Sequence, residues 1–308
     1  PGRPASADPG EVGAFQSPRP EGERDGFVFT DYNSVVNAFH NRALQLMARI
    51  ARVIGNAEEA RFFEDRAARH LQVFNATFLD PQSGLYLDGP GTDHSSLHAN
   101  MFPLAFGLVP AERVETVADF VAGRGMACSV YGAQYLLEAL YDTGRAGAAL
   151  DRMTAEDKRS WMNMIRVGAS MTTEAWDEAF KPNLTWNHAW GSAPANIIVR
   201  KLAGIDPLQP AFQRFRIAPQ PAGLDHFSVK APTLKGSVEL TLHAGPQTWE
   251  LELHVPGNTT AELLLPARFS AFLRNDAAAT PSGRLFHAGE YRHLLELSPG
   301  IHWIQATE

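Results

Sequence analysis

Residues 168–191 hold the densest group of side chains able to do chemistry. Glu174 follows two threonines and precedes Trp176 by two positions; Asp177 and Glu178 come next. After a short polar stretch, Trp186, Asn187, His188 and Trp190 fall within five positions. Indoles offer flat apolar faces that suit the C–H faces of a sugar ring. Carboxylates, Asn and His suit its hydroxyls. A pocket combining them meets the needs of glycoside chemistry, where a carboxylate must also activate water. The same residue types also suit a plain helix start over buried tryptophans, since large aromatics are usually core.

A second polar group, Asp88, Asp93, His94 and His98, lies in a Gly-rich stretch. It reads as a pocket rim or an ordinary loop. Two histidines and a short acidic spacing fall below what a metal site needs, so no metal is expected. No phosphate-binding Gly loop, Ser-His-Asp order or dinucleotide fingerprint occurs, and no cofactor is expected. Cys128 is the only cysteine, which excludes an intrachain disulfide and reads as core packing. The formal net charge of -7 argues against nucleic acid and anionic membranes as partners. No apolar run approaches the roughly 20 residues that span a bilayer. The first residues mix Pro, Gly, Arg and Asp and lack the pattern of a signal peptide; the compartment is left open.

The elements that must position these groups are mostly helical. Residues 1–25 read as an irregular arm or linker, rich in Pro, Gly and charge. Asp31 or Asn33 can cap a long helix whose apolar positions Val36, Phe39, Leu44, Met47, Ile50, Ala51 and Ile54 recur at helical spacing. Gly55-Asn56 ends it, and a second helix carries Ala60, Phe63, Ala67, Leu71 and Phe74 inward. Helical patterning returns over residues 97–106, 111–122, 129–141, 145–153, 161–167 and 193–202. About eight helices in successive hairpins read as an α-solenoid or a closed toroid. From residue 206 the texture changes. Prolines cluster, then alternating runs over residues 237–243, 248–255, 260–265, 269–273, 291–297 and 302–304 predict antiparallel strands in one small β-sandwich. The expected division is thus an arm at 1–25, a helical domain at 26–205 and a sandwich at 206–308.

Thr172-Thr173-Glu174-Ala175-Trp176-Asp177 and Trp186-Asn187-His188-Ala189-Trp190-Gly191 resemble the bacterial α-L-rhamnosidases of glycoside hydrolase family 78. The likeness extends upstream through Arg24-Asp25-Gly26-Phe27, Asn33 to Phe39, Asp93 to Asn100, Cys128 to Gln134 and Arg159-Ser160-Trp161. Downstream it takes in Ala193 to Ile198 and Gly204-Ile205, spanning roughly residues 20–265. The resemblance implies an (α/α)6 toroid followed by a β-sandwich, and inverting hydrolysis of terminal rhamnose. It implies Glu174 as the general base, from the Glu-x-Trp-Asp pattern, with Glu178 the weaker rival. Many relatives carry Trp directly before that glutamate, where this chain has Thr173. His188 matches a histidine that contacts rhamnose. Trp176, Asp177, Trp186 and Trp190 are read beside it as substrate-binding positions, Trp186 and Trp190 as sugar platforms of which at least one is expected to be core packing.

The family's general acid lies in an Arg-Asp-Glu type motif N-terminal to everything matched here, and this chain lacks that motif. Eight helices against the twelve of a six-hairpin toroid point the same way. The expectation is an incomplete toroid with an exposed apolar edge, the C-terminal portion of a longer enzyme, whose partner is a rhamnose-containing glycoside or oligosaccharide. The expected site is the only sugar-sized pocket, built from the helical domain with Glu174 and His188 facing it. Two alternatives remain: a non-catalytic carbohydrate-binding protein on the same scaffold, and a six-hairpin glycosidase of other specificity.

Overall fold

A computed structural model describes residues 23–308. Most of the expected arm, residues 1–22, lies outside the described residues. Among these, eight α-helices precede the first strand.

Helices α1 (Ser34–Val53) and α2 (Ala57–Phe78) form the first hairpin. Asn33 caps α1 by accepting from Val36 N at 2.9 Å, and Asn56 caps α2 by accepting from Glu59 N at 3.2 Å. Gly55 turns the chain between them at φ 79°, as the sequence predicts. The buried stripe of α1 differs from the expected one. It runs through Ser34, Ala38, Asn41, Leu44, Ala48 and Ala51, while Val36, Phe39, Met47, Ile50 and Ile54 stay exposed. Small residues let the two helices approach closely, and buried Asn41 joins them by donating to Ala67 O at 3.0 Å. Of the large apolar residues outside that stripe, Phe39 still packs its ring on Phe102 and Phe106, at 4.8 and 5.0 Å, and Val36, Met47, Ile50 and Ile54 are left exposed.

Helices α3 (Leu97–Ala105), α4 (Val114–Gly123), α5 (Val130–Asp142) and α6 (Ala146–Met153) continue the hairpins. The short α7 (Trp161–Arg166) and α8 (Ala193–Ile197) follow, the latter running into a π turn at Ile198–Leu202. Helix α5 is the centre of the helical core, with Ala133, Leu136, Leu137 and Tyr141 wholly buried. Asp25 ties the start of the chain to this core: it accepts from Leu97 N at 2.6 Å and from Arg124 Nε at 3.0 Å.

Gly204 makes the passage from helices to strands. Its φ is 70°, and a Cβ there would lie 2.1 Å from Ala218 O. The strands are β1 (Ile205–Pro207), β2 (Arg214–Ile217), β3 (His226–Thr233), β4 (Gly236–Ala244), β5 (Thr248–Val255), β6 (Thr260–Pro266), β7 (Ala271–Arg274), β8 (Ala277–Ala278), β9 (Gly283–His287), β10 (Glu290–Leu297) and β11 (Gly300–Thr307). They form a five-stranded sheet, β1-β2-β6-β10-β9, facing a six-stranded sheet, β3-β4-β5-β11-β7-β8. Leu263, Leu265 and Leu297 of the first meet Leu240, Leu251 and Leu253 of the second in one core. Pairing is antiparallel with one correction to the expectation: β2 and β6 run parallel. The chain reaches β6 only after building β3–β5 of the other sheet, so no hairpin constrains that pair to run antiparallel.

Candidate active site

The stretch between α7 and α8 is a folded loop, with only a single 3₁₀ turn at Ala189–Gly191. Two of its segments are clipped together. Glu174 N donates to Thr185 O at 2.9 Å, and His188 N donates to Thr172 O at 2.7 Å. The Thr172 hydroxyl donates to His188 O at 2.8 Å. Gly191 permits this closeness, because a Cβ there would lie 2.8 Å from Thr173 O. Two indoles anchor the loop to the core: Trp161 Nε1 donates to Gly191 O at 2.6 Å and Trp176 Nε1 to Cys128 O at 2.7 Å. Their rings meet edge to face at 4.9 Å.

Glu174 is held by three donors. Lys181 Nζ bonds Oε1, while Thr185 N and Thr185 Oγ1 bond Oε2 at 3.0 and 3.2 Å. The Lys181 contact first, and the Thr185 donors with it, lower its pKa from the ordinary 4.5 to about 2. A carboxylate in that state stays ionised, cannot serve as a proton reservoir, and is a weaker base than an unpaired one. Asp177 accepts from Ala179 N at 2.8 Å and from Asn163 Nδ2 at 3.0 Å, and these bonds lower its pKa too. Both oxygens of Asp177 thus shape the loop. Glu178 is exposed, and the segment is not helical, so the four-residue spacing does not put it on a face with Glu174.

His188 Nε2 lies 2.6 Å from the Tyr131 hydroxyl. If that hydroxyl donates, the neutral ring presents Nδ1–H to a ligand. Trp190 stacks edge-on against both rings, at 4.6 Å from Tyr131 and 5.8 Å from His188, and remains exposed. Trp186 is exposed as well. Trp176 is different: it is 0% exposed and its one polar atom is spent on Cys128. Its expected substrate contact is corrected to a packing role, because a loop this irregular needs a large apolar anchor.

Two hollows flank the loop. One of ≈ 180 Å³ lies among Thr173, Asp177, Glu178, Leu184 and Trp186, with Trp176 beneath it. The other, ≈ 530 Å³, runs along Tyr131, Tyr135, Trp190, Asn196 and Arg200. The expectation of a single sugar-sized pocket in the helical part, faced by both Glu174 and His188, does not hold: neither residue lines either of these two hollows. A cleft of ≈ 450 Å³ lies between Arg145 and Arg268, and one of ≈ 250 Å³ lies on the six-stranded sheet.

Sequence reasoning did not assign roles to Lys181, Thr185, Tyr131 or Glu23. Lys181 and Thr185 are partners of Glu174 through loop closure, which leaves no periodic signal. Glu23 accepts from Trp176 N at 3.3 Å; burial raises its pKa, against the lowering effects of that bond and of Arg159 and Lys181. The Asp88 cluster is a structural hub. Wholly buried Asp88 accepts from Val28 N at 2.8 Å and Ser96 N at 3.1 Å, and bonds His94 Nδ1 at 2.6 Å.

Helical hairpins leading into a two-sheet domain, with a carboxylate and a histidine on one clipped loop, define a hairpin-type glycosidase scaffold. The chain belongs to the bacterial α-L-rhamnosidase family: residues 11–202 match its six-hairpin glycosidase domain and residues 204–272 its C-terminal domain. An α-L-rhamnosidase of Alteromonas sp. (strain LOR) is 26% identical over 302 residues, covering 92% of this chain and 32% of the relative. One from Formosa agariphila is 28% identical over 270 residues, covering 83% and 28%. The chain therefore spans about a third of the length of the curated relatives it matches. The solved α-L-rhamnosidase of Dictyoglumus thermophilum superposes with a TM-score of 0.74 at 18% identity, over 88% of this chain and 31% of that one. That of Streptomyces avermitilis, complexed with L-rhamnose, gives 0.72 at 21% identity, over 87% and 26%.

Proposed function

We propose that this chain is part of an enzyme that hydrolyses terminal α-L-rhamnosides with inversion, and that Glu174 is its general base. The observation that carries the reading is Glu174 itself. It stands at the family's Glu-x-Trp-Asp position, is held ionised, and is clipped through the backbone to the segment bearing His188. An ionised carboxylate can take a proton from water as that water attacks the anomeric carbon. His188 and exposed Trp186 and Trp190 bind the sugar, one by hydrogen bonding and the others by stacking. Lys181 stabilises the charge but weakens the base, so it must swing toward solvent as substrate enters; its side chain is 41% exposed.

Inversion needs a second carboxyl, protonated, on the far side of the scissile bond, about 6.5–9.5 Å from the base. The reading places this acid in sequence N-terminal to the matched segment. The span of the relatives supports this, as does the engagement of Asp25 and Asp88 in structural bonds. The test is the anomer released first by a catalytically complete enzyme, followed by proton NMR. Inversion yields β-L-rhamnose before mutarotation. Initial α-L-rhamnose would make the reaction retaining and remove the base role from Glu174.

A further inference from the structure

The outer face of the six-stranded sheet carries an anomaly. Alternation sends Val238, Leu240, Leu251, Leu253 and Ile304 into the core. It sends Thr241, His243, Glu250, Glu252 and Gln305 out to water, which is the ordinary pattern for a half-wet sheet. Trp303 departs from that pattern, with Ile301 and Leu273 exposed on the same face. It points outward from β11, fourth of the six strands, and is 58% exposed. An indole on a polar sheet face forgoes the burial that would stabilise it.

Cross-strand register surrounds Trp303 with polar groups. Glu252 pairs with it across β5, and Thr241 follows on β4. In the next row Gln305 stands between Glu250 and Leu273. The β7–β8 turn closes the far side. Asn275 N donates to Trp303 O at 2.8 Å, and Trp303 N donates to Asn275 Oδ1 at 2.9 Å. Asp276 follows in that turn. Together these groups bound a cleft of ≈ 250 Å³.

We infer that this cleft is a saccharide-binding site for a neutral glycan, separate from the loop that carries Glu174. The indole face supplies the platform for the C–H face of a pyranose. Glu250, Glu252 and Asp276 accept from its hydroxyls, and Gln305 both donates and accepts. Among the described residues no Lys or Arg lines the cleft, and beside His243 the carboxylates of Glu250, Glu252 and Asp276 repel a uronate or sulfated sugar. Like-charge repulsion therefore disfavours an acidic chain, and the hydroxyl-matching groups suit an uncharged one. The site is independent of the hydrolytic reading and would serve to hold a polymer near the enzyme.

Native affinity electrophoresis of the whole chain tests this, in gels containing a neutral rhamnan, a neutral galactomannan or polygalacturonate. The intact chain is expected to be retarded by at least one neutral polymer and to run freely in polygalacturonate. Trp303→Ala, checked for folding by its melting curve, is expected to weaken retardation about tenfold or more, as for loss of a central aromatic anchor. His188→Ala, which impairs the loop site, should leave retardation intact. A Glu252→Gln, Asp276→Asn double variant, which spares the fold, should weaken it as well. Free migration in both neutral gels, equal retardation by polygalacturonate, or retardation untouched by Trp303→Ala would overturn the proposal.

Discussion

Glu174 and Lys181 set the pH behaviour of the site. The folded-state pKa of Glu174 is lowered, so its ionised form survives as pH falls, down to about 2. Lys181 is the largest cause. Lys181→Ala is therefore expected to raise the Glu174 pKa toward 4.5 and move the acid limb of the kcat/KM profile upward by about one pH unit or more. An acid limb unmoved by the substitution would show that Lys181 does not face Glu174 in the working enzyme. Trp176 and Trp186 make a contrasting pair on the same loop. Trp176→Ala is expected to cost about 3–5 kcal/mol of stability by urea melting, from the cavity and the lost Cys128 bond. Trp186→Ala, at an exposed position, should stay within about 0.5 kcal/mol. Equal effects would contradict the packing role. That Glu174 and His188 share one clipped loop was legible from their closeness in sequence, while their roles rest on family likeness. The fate of Trp176 was not, because a sugar platform and a core anchor use the same side chain.

At the scale of elements, the helices were legible where caps and periodicity agreed. Asn33, Asn56, Ser96 and Ser160 all cap by side-chain bonds, and the predicted starts fall at or next to them. The inward face of α1 was legible only at Leu44 and Ala51. Hydrophobicity pointed to Val36, Phe39 and Ile50, whereas packing against α2 selected Ala38, Ala48 and buried Asn41. Strands β4, β5 and β11 follow clear alternation. Strand β3 was hidden by Pro232, which an edge strand tolerates on its outward side. Gly204 links the two kinds of element. Gly204→Ala puts a methyl onto Ala218 O at a positive φ, so a loss of about 2 kcal/mol or more is expected in thermal or urea unfolding. A neutral result would mean the backbone around Ala218 yields freely.

For the whole molecule, the helical core and the sheet core are distinct, and the proposed chemistry belongs to the first. Loop 168–191 is irregular, yet it is fixed at several places by Trp161, Trp176, Thr172 and Gly191. This lets a short loop present the proposed base, Glu174, and the proposed ligand histidine, His188, with defined geometry. The expected general acid N-terminal to the match fits a chain that spans about a third of its relatives. The most direct test of the account is turnover of an α-L-rhamnoside by Glu174→Gln in a catalytically complete chain, with rhamnose binding measured alongside by calorimetry. Loss of a positioned base predicts turnover lower by about two to four orders of magnitude, with rhamnose affinity little changed. Near-normal turnover in the variant would contradict the assignment and move the base elsewhere on the loop.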